Sequence, residues 1–420
     1  MKRLLKNKLL GSAMIFTLSS IFNKGLNFAI LPVLTHYLSR DDYGHLGFIV
    51  SVVAIASIYI GLWPSNFVMA KFSSYGKEKM SKYLSNILLI IVATFFVVMG
   101  MMYLFEETLF TNFHNRGTLI LLISVYTLFL VIFNTFNTIV QLEKNALKYA
   151  MFQSFYLFSS LGLALLLIIV FGFDWRGKFY AELLILAFLA AYSLWYFVRA
   201  GYLVADVSMH RLRELFAYLF PLTFFVVGLF LMGTIDKVIL AKYMNIEAVG
   251  IYTIAMTMSI IVNIIYDSAI KAWEPHFFER IATKTPEDMN FIIKTVLLYS
   301  LFVVVGSAIY ILLIPYVFHI MIDAKFSESL QYIPLLVIGF SLEGLRKPLA
   351  SFLMHKDKVK TLGIITLLAA LVNIVLNVIL IQKYGISGAA YATISAFGLL
   401  YVVTLFLVFR YCDIRWTRGV

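Results

Sequence analysis

The sequence predicts an all-helical integral membrane protein with twelve transmembrane helices, arranged as two related lobes of six. Hydrophobic residues make up 62% of the 420 residues and charged residues only 13%, whereas about 25% of residues are charged in ordinary soluble domains. The apolar residues fall in segments of about 20 residues or more, long enough to cross a bilayer. Basic residues concentrate in alternate connections between these segments, a distribution typical of polytopic membrane proteins.

The apolar segments are separated by short polar connections, none long enough to fold as a domain. In order along the chain they are 11–38, 44–70, 83–105, 117–141, 149–172, 178–199, 215–238, 248–273, 291–315, 329–350, 361–382 and 386–409. A charged connection lies at the midpoint of the chain. We therefore expect an N-terminal lobe at 1–200, a cytoplasmic linker at 201–214 and a C-terminal lobe at 215–420. The longest connection, about 272–290, is expected on the cytoplasmic side.

The distribution of basic residues predicts the orientation in the membrane. Of the 34 lysines and arginines, 25 fall on the side of the membrane that holds both termini and 7 on the other side. Cytoplasmic connections carry the excess of basic residues, so both termini are expected in the cytoplasm. The formal net charge of +12 is thus mainly a topology signal, with some attraction to anionic lipid, and does not indicate nucleic-acid binding.

Motifs for catalysis and metal binding are absent from the sequence. The single cysteine, Cys412, excludes an internal disulfide and cysteine zinc sites, and the seven histidines show no metal-ligand spacing. No glycine-rich phosphate loop and no DxD metal-nucleotide motif occurs. We expect no cofactor, no metal site and no enzymatic activity.

The first segment carries a lysine near its middle. Lys24 shares one helical face with Thr17, Ser20 and Asn27, because these residues follow one another at steps of three or four. A lysine at that depth costs about 3 kcal/mol unless it faces water or a partner. We interpret this face as lining a hydrated cavity. The alternative is a lysine neutralised by a neighbouring helix for packing alone.

Three later segments repeat this pattern of polar residues on one face. Their members are Asn134, Asn137 and Gln141 in the fourth segment, Asn263, Asp267 and Lys271 in the eighth, and Asn373 and Asn377 in the eleventh. Amides between membrane helices often form interhelical hydrogen bonds, and this alternative is as good for the fourth and eleventh segments. In the eighth, Asp267 and Lys271 could neutralise each other one turn apart, but a row of amide, acid and base better suits a hydrated wall.

Further charged residues lie near segment ends. Asp236 and Lys237 close the seventh segment, and Glu343, Arg346 and Lys347 lie near the inner end of the tenth. Their cationic members could hold a diphosphate through charge-assisted hydrogen bonds, whereas amides and tyrosines suit sugar hydroxyls. The alternative is that these residues anchor helix ends at the membrane interface.

The two halves of the chain are similar to each other. The connection after the first segment reads YLSRDDYG from Tyr37, and the one after the seventh reads YMNIEAVG from Tyr243. A second pair, WRGKFYA from Trp175 and ISGAAYA from Ile386, has nearly the same offset. A repeat of six segments restores the original orientation, so these matches indicate a parallel duplication. Internal repeats around a midplane cavity favour transport over catalysis.

Four stretches together carry a family resemblance over nearly the whole chain: LNFAILPVLTHYLSRDDYGHLGF, TIDKVILAKYMNIEAVGIYTIA, WRGKF and LVNIVLNVILIQKYGISGAAYATIS. The sequence resembles the polysaccharide transporter family, flippases of lipid-linked oligosaccharides within the MOP superfamily, which also contains MATE multidrug exporters and the lipid II flippase. This resemblance implies a MATE-like, V-shaped, two-lobed bundle with a central cationic cavity. It implies movement of an undecaprenyl-diphosphate-linked glycan from the cytoplasmic to the outer leaflet by alternating access.

The resemblance also implies roles for individual residues. Lys24 would contact the diphosphate, Asp236 matches a frequent aspartate of the family, and Lys237 stands where arginine is as common. Asp267, Lys271 and Arg346 are assigned from the polar faces alone. The complete expected substrate-binding set is Lys24, Asn27, Asn134, Asn137, Asp236, Lys237, Asn263, Asp267, Lys271 and Arg346.

The expected setting is the bacterial cytoplasmic membrane, and the expected cargo is a repeat unit of O-antigen, capsule or exopolysaccharide. Expected partners are the undecaprenyl-diphosphate-linked glycan, membrane lipids, a glycan polymerase and a chain-length regulator, with no nucleic acid. One alternative is a cation-coupled exporter of the MATE type, with Asp267 or Asp236 as the coupling carboxylate. Another is a membrane glycan polymerase or ligase, against which the short outer connections argue.

Overall fold

A computed structural model describes residues 25–26, 28–62, 64–113, 115–204, 206–283 and 285–412. Within these ranges the chain is mostly helical and contains no β-strand, which confirms the predicted all-helical membrane fold. Lys24 and Asn27, with Thr17 and Ser20, lie outside the described residues. The hydrated cavity expected along this face of the first segment therefore stays a prediction.

Thirteen α-helices make up most of the described chain. They are α1 (Leu31–Tyr37), α2 (Arg40–Tyr59), α3 (Pro64–Leu104), α4 (Glu106–Leu109), α5 (Arg116–Leu142), α6 (Ala146–Leu165), α7 (Trp175–Arg199), α8 (Met209–Tyr243), α9 (Ile246–Thr283), α10 (Pro286–Met321), α11 (Ile333–His355), α12 (Val359–Tyr384) and α13 (Ile386–Tyr411). Short 3₁₀ helices lie at Ile60–Leu62 and Ala324–Gln331, and a π-helical turn at Leu166–Val170 follows α6.

The length and composition of these helices identify a multi-pass membrane protein. Among the described residues, 9 helices are long and apolar enough to cross a bilayer. They are Arg40–Leu62, Pro64–Leu104, Arg116–Leu142, Ala146–Val170, Trp175–Arg199, Ile246–Thr283, Pro286–Met321, Val359–Tyr384 and Ile386–Tyr411. The predicted segments 215–238 and 329–350 fall largely on α8 and α11.

Two predicted connections are helical instead. Residues 71–82 belong to α3, interrupted only at Gly76, whose φ of 65° is left-handed. Likewise α9 continues to Thr283, and α10 begins at Pro286. The hydroxyl of Thr285 caps α10 by accepting the backbone N–H of Asp288 at 3.2 Å. The connection at 272–290 is therefore mostly helical, because hydropathy marks only the lipid-buried part of a helix and polar helix-forming residues extend it into water.

The second predicted segment is broken in its middle. At Gly61 the backbone has φ of 78°, and its N–H donates to the Thr94 hydroxyl at 2.8 Å. An added Cβ at this position would lie 2.7 Å from Ile91 Cγ1, so both the conformation and the close approach require glycine. Pro64 then starts α3, where its missing N–H costs no helical hydrogen bond.

The chain divides into two compact units, Met1–Val226 and Val227–Val420. In the first unit, α5 packs against α3 and α7, and α6 packs against α7. Aromatic side chains such as Phe133, Phe136 and Phe197 fill this core. In the second unit, α11 packs against α9, α10 and α13, and α12 packs against α13.

The boundary between the units falls inside α8 rather than at the expected linker 201–214. Hydrogen bonds attach that stretch to α3 within the first unit. Tyr83 donates to Glu214 Oε2 at 2.5 Å, while buried Asn86 donates to the Asp206 carbonyl at 3.0 Å and accepts from the Ser208 N–H at 3.1 Å. Residues 201–214 therefore pack within the first compact unit, and the division into six-helix lobes at 1–200 and 215–420 stays a prediction.

Candidate functional site

In the second unit, α9 and α11 bring three polar side chains together. Lys347 Nζ donates to Asn263 Oδ1 at 2.6 Å and to Asp267 Oδ1 at 2.5 Å. Asn263 and Asp267 lie one turn apart on α9, so one ammonium group reaches both. The Lys347 side chain is 12% exposed, whereas that of Asp267 is 47% exposed. The lysine is thus the more deeply buried member of the ion pair.

A second ion pair lies beside the first on α11. Arg346 donates to both carboxylate oxygens of Glu343, from Nε and Nη2, each at 2.7 Å. This forked geometry is the strong form of an arginine–carboxylate contact. Together the two pairs contain two positive and two negative groups. We therefore name Asn263, Asp267, Glu343, Arg346 and Lys347 the charged cluster, and its formal charge is zero.

The alternative pairing of Asp267 with Lys271 does not form. Asp267 is bound by Lys347 from the neighbouring helix, and Lys271 is exposed, with no ion-pair partner in the described part of the chain. The sequence spacing allowed an i, i+4 pair, but a lysine from α11 reaches the carboxylate instead. Arg346 is likewise held by Glu343 and is not a free cation.

A chain of hydroxyl groups fixes the three helices around the charged cluster. Tyr266 on α9 contacts Ser307 on α10 at 2.6 Å, and Ser307 contacts Ser341 on α11 at 2.6 Å. Gly344 lets α11 approach this tyrosine, since an added Cβ would lie 2.7 Å from its ring. Sequence analysis missed these hydroxyls because single serines in apolar helices give no periodic signal.

Asp236 on α8 is a buried carboxylate. Its side chain is 1% exposed, and Oδ2 accepts a hydrogen bond from the fully buried Tyr252 hydroxyl on α9. Oδ1 has no hydrogen-bond partner among the described residues. The neighbouring Lys237 is partly buried. Burial inside the second unit does not fit the alternative of an interface anchor for Asp236.

In the first unit, the polar face of α5 lines a cavity of about 250 Å³. The structure brings Asn134, Asn137 and Gln141 to this cavity, and Gln153 of α6 faces them. The Asn137 side chain is only 4% exposed, and neither its amide oxygen nor its amide nitrogen has a partner among the described residues. We name this space the amide cavity.

The same sequence pattern has a different environment in α12. Asn373 and Asn377 are fully buried, and the Asn377 amide donates to the carbonyl and side-chain oxygens of Asn373 at 3.0 and 3.1 Å. These bonds lie within one helix, so they do not bridge helices as the packing alternative expected. The pair belongs to the core of the second unit.

A larger cavity of about 500 Å³ lies in the first unit where α2, α5 and α7 begin. The His45 and Trp175 rings stack there at 5.0 Å with an angle of 6° between them. Asp42, Asp174 and Arg176 also line this cavity. Sequence analysis did not single it out, because its residues come from three connections far apart in the chain. The only signal was a concentration of charged and aromatic residues at those connections.

Comparison with known proteins decides the family. Residues 9–280 match the family described as polysaccharide biosynthesis protein. The chain belongs to this family. This match confirms the family resemblance, and it covers three of the four sequence stretches that carry it. No curated protein matches the sequence at a significant level.

Solved structures relate this polysaccharide biosynthesis protein to membrane transporters. One is the inward closed conformation of the lipid II flippase MurJ, with a TM-score of 0.76, 14% identity and coverage of 94% of this chain and 87% of that one. Another is the inward-facing conformation of a multidrug resistance MATE family transporter of the MOP superfamily, with a TM-score of 0.72, 15% identity and coverage of 93% and 95%. At these identities the likeness shows the fold, which is that of the MOP transporters.

The fold is shared with solved structures of membrane transporters. In the described part of this polysaccharide biosynthesis protein, no group of three or more His, Cys, Asp or Glu side chains is placed to hold a metal ion.

Proposed function

We propose that the protein is a flippase for undecaprenyl-diphosphate-linked oligosaccharide repeat units of O-antigen, capsule or exopolysaccharide. It moves them from the cytoplasmic to the outer leaflet of the bacterial cytoplasmic membrane by alternating access, with both termini in the cytoplasm. The observation that carries this proposal is a polysaccharide biosynthesis family match on a fold shared with a lipid-linked substrate flippase.

Polar side chains on otherwise apolar helices support the proposal physically. A glycan cannot cross hydrocarbon without replacing the hydrogen bonds that its hydroxyls make to water. Amides in the first unit and the charged cluster in the second offer such replacements inside membrane-spanning helices. The polyprenyl tail has no such requirement and stays in the lipid.

The charged cluster changes which cations we assign to the diphosphate. Arg346 and Lys347 each lie against a carboxylate, so a diphosphate would have to displace Glu343 or Asp267 to bind them. Lys271 is exposed without an ion-pair partner in the described chain. We therefore assign the diphosphate to Lys24, and Lys271 remains a proposed substrate-binding residue of the second unit. Lys237 and Asp236 remain proposed members of the binding site.

Purified protein in vesicles tests this proposal. The vesicles contain an undecaprenyl-diphosphate oligosaccharide, and externally added periodate reports the fraction of glycan facing outward. We expect the wild type to make the inner-leaflet glycan accessible, Lys24→Ala to fail and Lys24→Arg to retain part of the activity. Lys82→Ala is the matched control, since Lys82 is an exposed lysine paired with Glu78 at 4.0 Å. Full activity of Lys24→Ala contradicts the diphosphate role, and an inactive wild type contradicts the flippase.

A glycan polymerase and a chain-length regulator are the proposed protein partners. Both would use repeat units that arrive in the outer leaflet. Crosslinking in the native membrane tests this proposal, with the expected crosslinks on the outer connections of the chain.

The buried carboxylate of Asp236 favours a second candidate, a cation-coupled exporter. One oxygen of this carboxylate has no partner in the described structure and is available to a proton or metal cation. This candidate predicts gradient-driven drug efflux that is lost in Asp236→Asn, together with normal sidedness of lipid-linked glycans. Loss of glycan flipping without any efflux phenotype rejects it.

A further inference from the structure

The amide cavity is lined by an unusual number of polar side chains for membrane-spanning helices. Four side-chain amides face one space of about 250 Å³, contributed by Asn134, Asn137 and Gln141 of α5 and Gln153 of α6. Ser57 of α2 and Ser65 of α3 also line it. The volume lies below the 300–1,000 Å³ typical of drug-sized sites, which suits a single sugar ring rather than an oligosaccharide.

Asn137 gives the reason to expect a ligand. Its amide is nearly fully buried, and neither polar atom has a partner in the described chain. An unsatisfied buried polar group costs about 1–3 kcal/mol, so an empty, dry cavity would leave both amide atoms uncompensated. The oxygen needs a donor and the nitrogen needs acceptors. A sugar hydroxyl is donor and acceptor at once and meets both needs.

The lining also has a definite charge character. None of the described residues that line the amide cavity is charged. Three charged residues lie close to the cavity in sequence, and none of them lines it. Glu143 accepts hydrogen bonds from Tyr196 at 2.8 Å and Tyr202 at 2.7 Å, Lys144 is exposed, and Lys148 Nζ lies 3.5 Å from the centre of the Tyr196 ring. An anionic sugar would therefore enter this cavity without a countercharge, which is strongly unfavourable in a low-dielectric setting.

We propose that the amide cavity binds one uncharged sugar ring of the transported glycan and selects against sugars that carry a carboxylate. This proposal deepens the proposed function and rests on it, because it names the class of sugar that the first unit accepts. The amides of Asn137 and Gln153 hydrogen-bond the ring hydroxyls from two neighbouring helices. A hydrogen bond to an N-acetyl group meets the same requirement, so neutral hexoses and N-acetylhexosamines form one class here.

A cysteine reporter in the cavity tests this directly. The single native cysteine is buried, so full-length protein with Cys412→Ala and Ser65→Cys carries one reactive thiol, placed at the cavity. The thiol is labelled with N-ethylmaleimide in lipid nanodiscs, with methyl β-D-glucopyranoside, methyl N-acetyl-β-D-glucosaminide or methyl β-D-glucuronide present. We expect the two neutral glycosides to slow labelling, by about tenfold at ten times their Kd, and the glucuronide to have no effect.

Two variants connect the protection to the amides. Asn137→Leu should abolish protection by the neutral glycosides, and Gln153→Leu should weaken it. Asn377→Leu is the matched control, because it removes a buried membrane-helix amide in the second unit and should leave the protection unchanged. The reporter protein itself needs no change at Asn137, so the comparison of glycosides holds even where Asn137→Leu fails to fold.

Three results overturn the proposal: no protection by either neutral glycoside, equal protection by the glucuronide, or unchanged protection in correctly folded Asn137→Leu. The first would mean that the amides bind water only. The labelling assay and the vesicle assay test the sugar site and the flippase proposal separately. Glycan movement in vesicles without sugar protection rejects only the sugar site, whereas sugar protection without glycan movement rejects only the flippase.

Discussion

The ion pair between Asp267 and Lys347 gives an asymmetric prediction about stability. Asp267→Leu leaves the Lys347 ammonium without its carboxylate, and this lysine side chain is only 12% exposed. Lys347→Met instead leaves the Asp267 carboxylate, whose side chain is 47% exposed and can be solvated by water. We therefore expect the aspartate substitution to be the more damaging of the two.

The burial of each partner sets the expected magnitudes. Breaking a buried pair by removing one partner costs about 3–5 kcal/mol. Asn263 still accepts from Lys347 at 2.6 Å, so we take the low end, about 3 kcal/mol, for Asp267→Leu. The exposed carboxylate left by Lys347→Met is screened by solvent, and we expect about 1 kcal/mol. Replacing both partners with apolar residues removes the uncompensated charge, so the double variant should lose less than the sum of the two.

Reversible unfolding in mixed micelles, followed by circular dichroism, measures these free energies. A double-mutant cycle then gives the coupling between the two side chains, expected at about 2 kcal/mol. Glu78→Ala is the matched control, because Glu78 is an exposed partner of Lys82 at 4.0 Å, and it should cost under about 0.5 kcal/mol. Equal losses for both single variants, with additive effects in the double variant, would refute the reasoning.

Three further predictions concern packing and the buried carboxylate. Gly388→Ala places a Cβ 2.1 Å from the Leu380 carbonyl oxygen, so we expect it to lower the free energy of unfolding by more than about 2 kcal/mol. The control Gly162→Ala has no atom within 4 Å of the added Cβ and should be neutral or stabilising by about 1 kcal/mol. Equal effects of the two substitutions would contradict the close packing at Gly388. Tyr252→Phe removes the hydroxyl that donates to buried Asp236 and should lower the free energy of unfolding by about 2 kcal/mol. Tyr310→Phe should cost less, because the Tyr310 hydroxyl donates to a neutral backbone carbonyl at 2.6 Å. The reverse order in the same unfolding assay would show that Asp236 does not need this donor. Gly61→Ala should lower the free energy of unfolding, because the backbone φ there is 78° and the added Cβ would lie 2.7 Å from Ile91. The control Gly100→Ala has open space around the added Cβ and should not lower it. An unchanged free energy of unfolding in Gly61→Ala would mean that the break between α2 and α3 does not require glycine.

Much of the helical architecture could be predicted from the sequence, because hydropathy measures the same transfer energy that places a helix in lipid. Hydropathy does not predict where helices end outside the membrane, as the helical residues 71–82 and the extension of α9 to Thr283 show. The break at Gly61 had a local signal, a glycine three residues before a proline, which an average over a long apolar window conceals.

The candidate sites show the limits of helical periodicity more sharply. Asn134, Asn137 and Gln141 follow one another at steps of three and four, which places them on one helical face, and they line one cavity. The same spacing placed Asn373 and Asn377 in a core, where they bond to each other. Which neighbour covers a face depends on tertiary packing, which local spacing does not contain.

The partner of Asp267 illustrates the same limit for charges. Lys271 lies four residues away in sequence, whereas Lys347 lies 80 residues away and makes the contact. In the folded chain, a lysine on a neighbouring helix can reach the carboxylate as well as a lysine on the same helix. The neutrality of the charged cluster follows from that pairing, and only the folded chain could show it.

The most direct test of the flippase proposal is the sidedness of lipid-linked glycans in a strain of the source organism that lacks this gene. Mass spectrometry quantifies the polyprenyl-linked oligosaccharide, and periodate applied to membrane vesicles of known orientation reports its leaflet. We expect completed repeat units to accumulate on the cytoplasmic leaflet and to return to normal when the wild-type gene is restored. Normal amount and normal sidedness, in a strain shown to have no second flippase, would contradict the proposal.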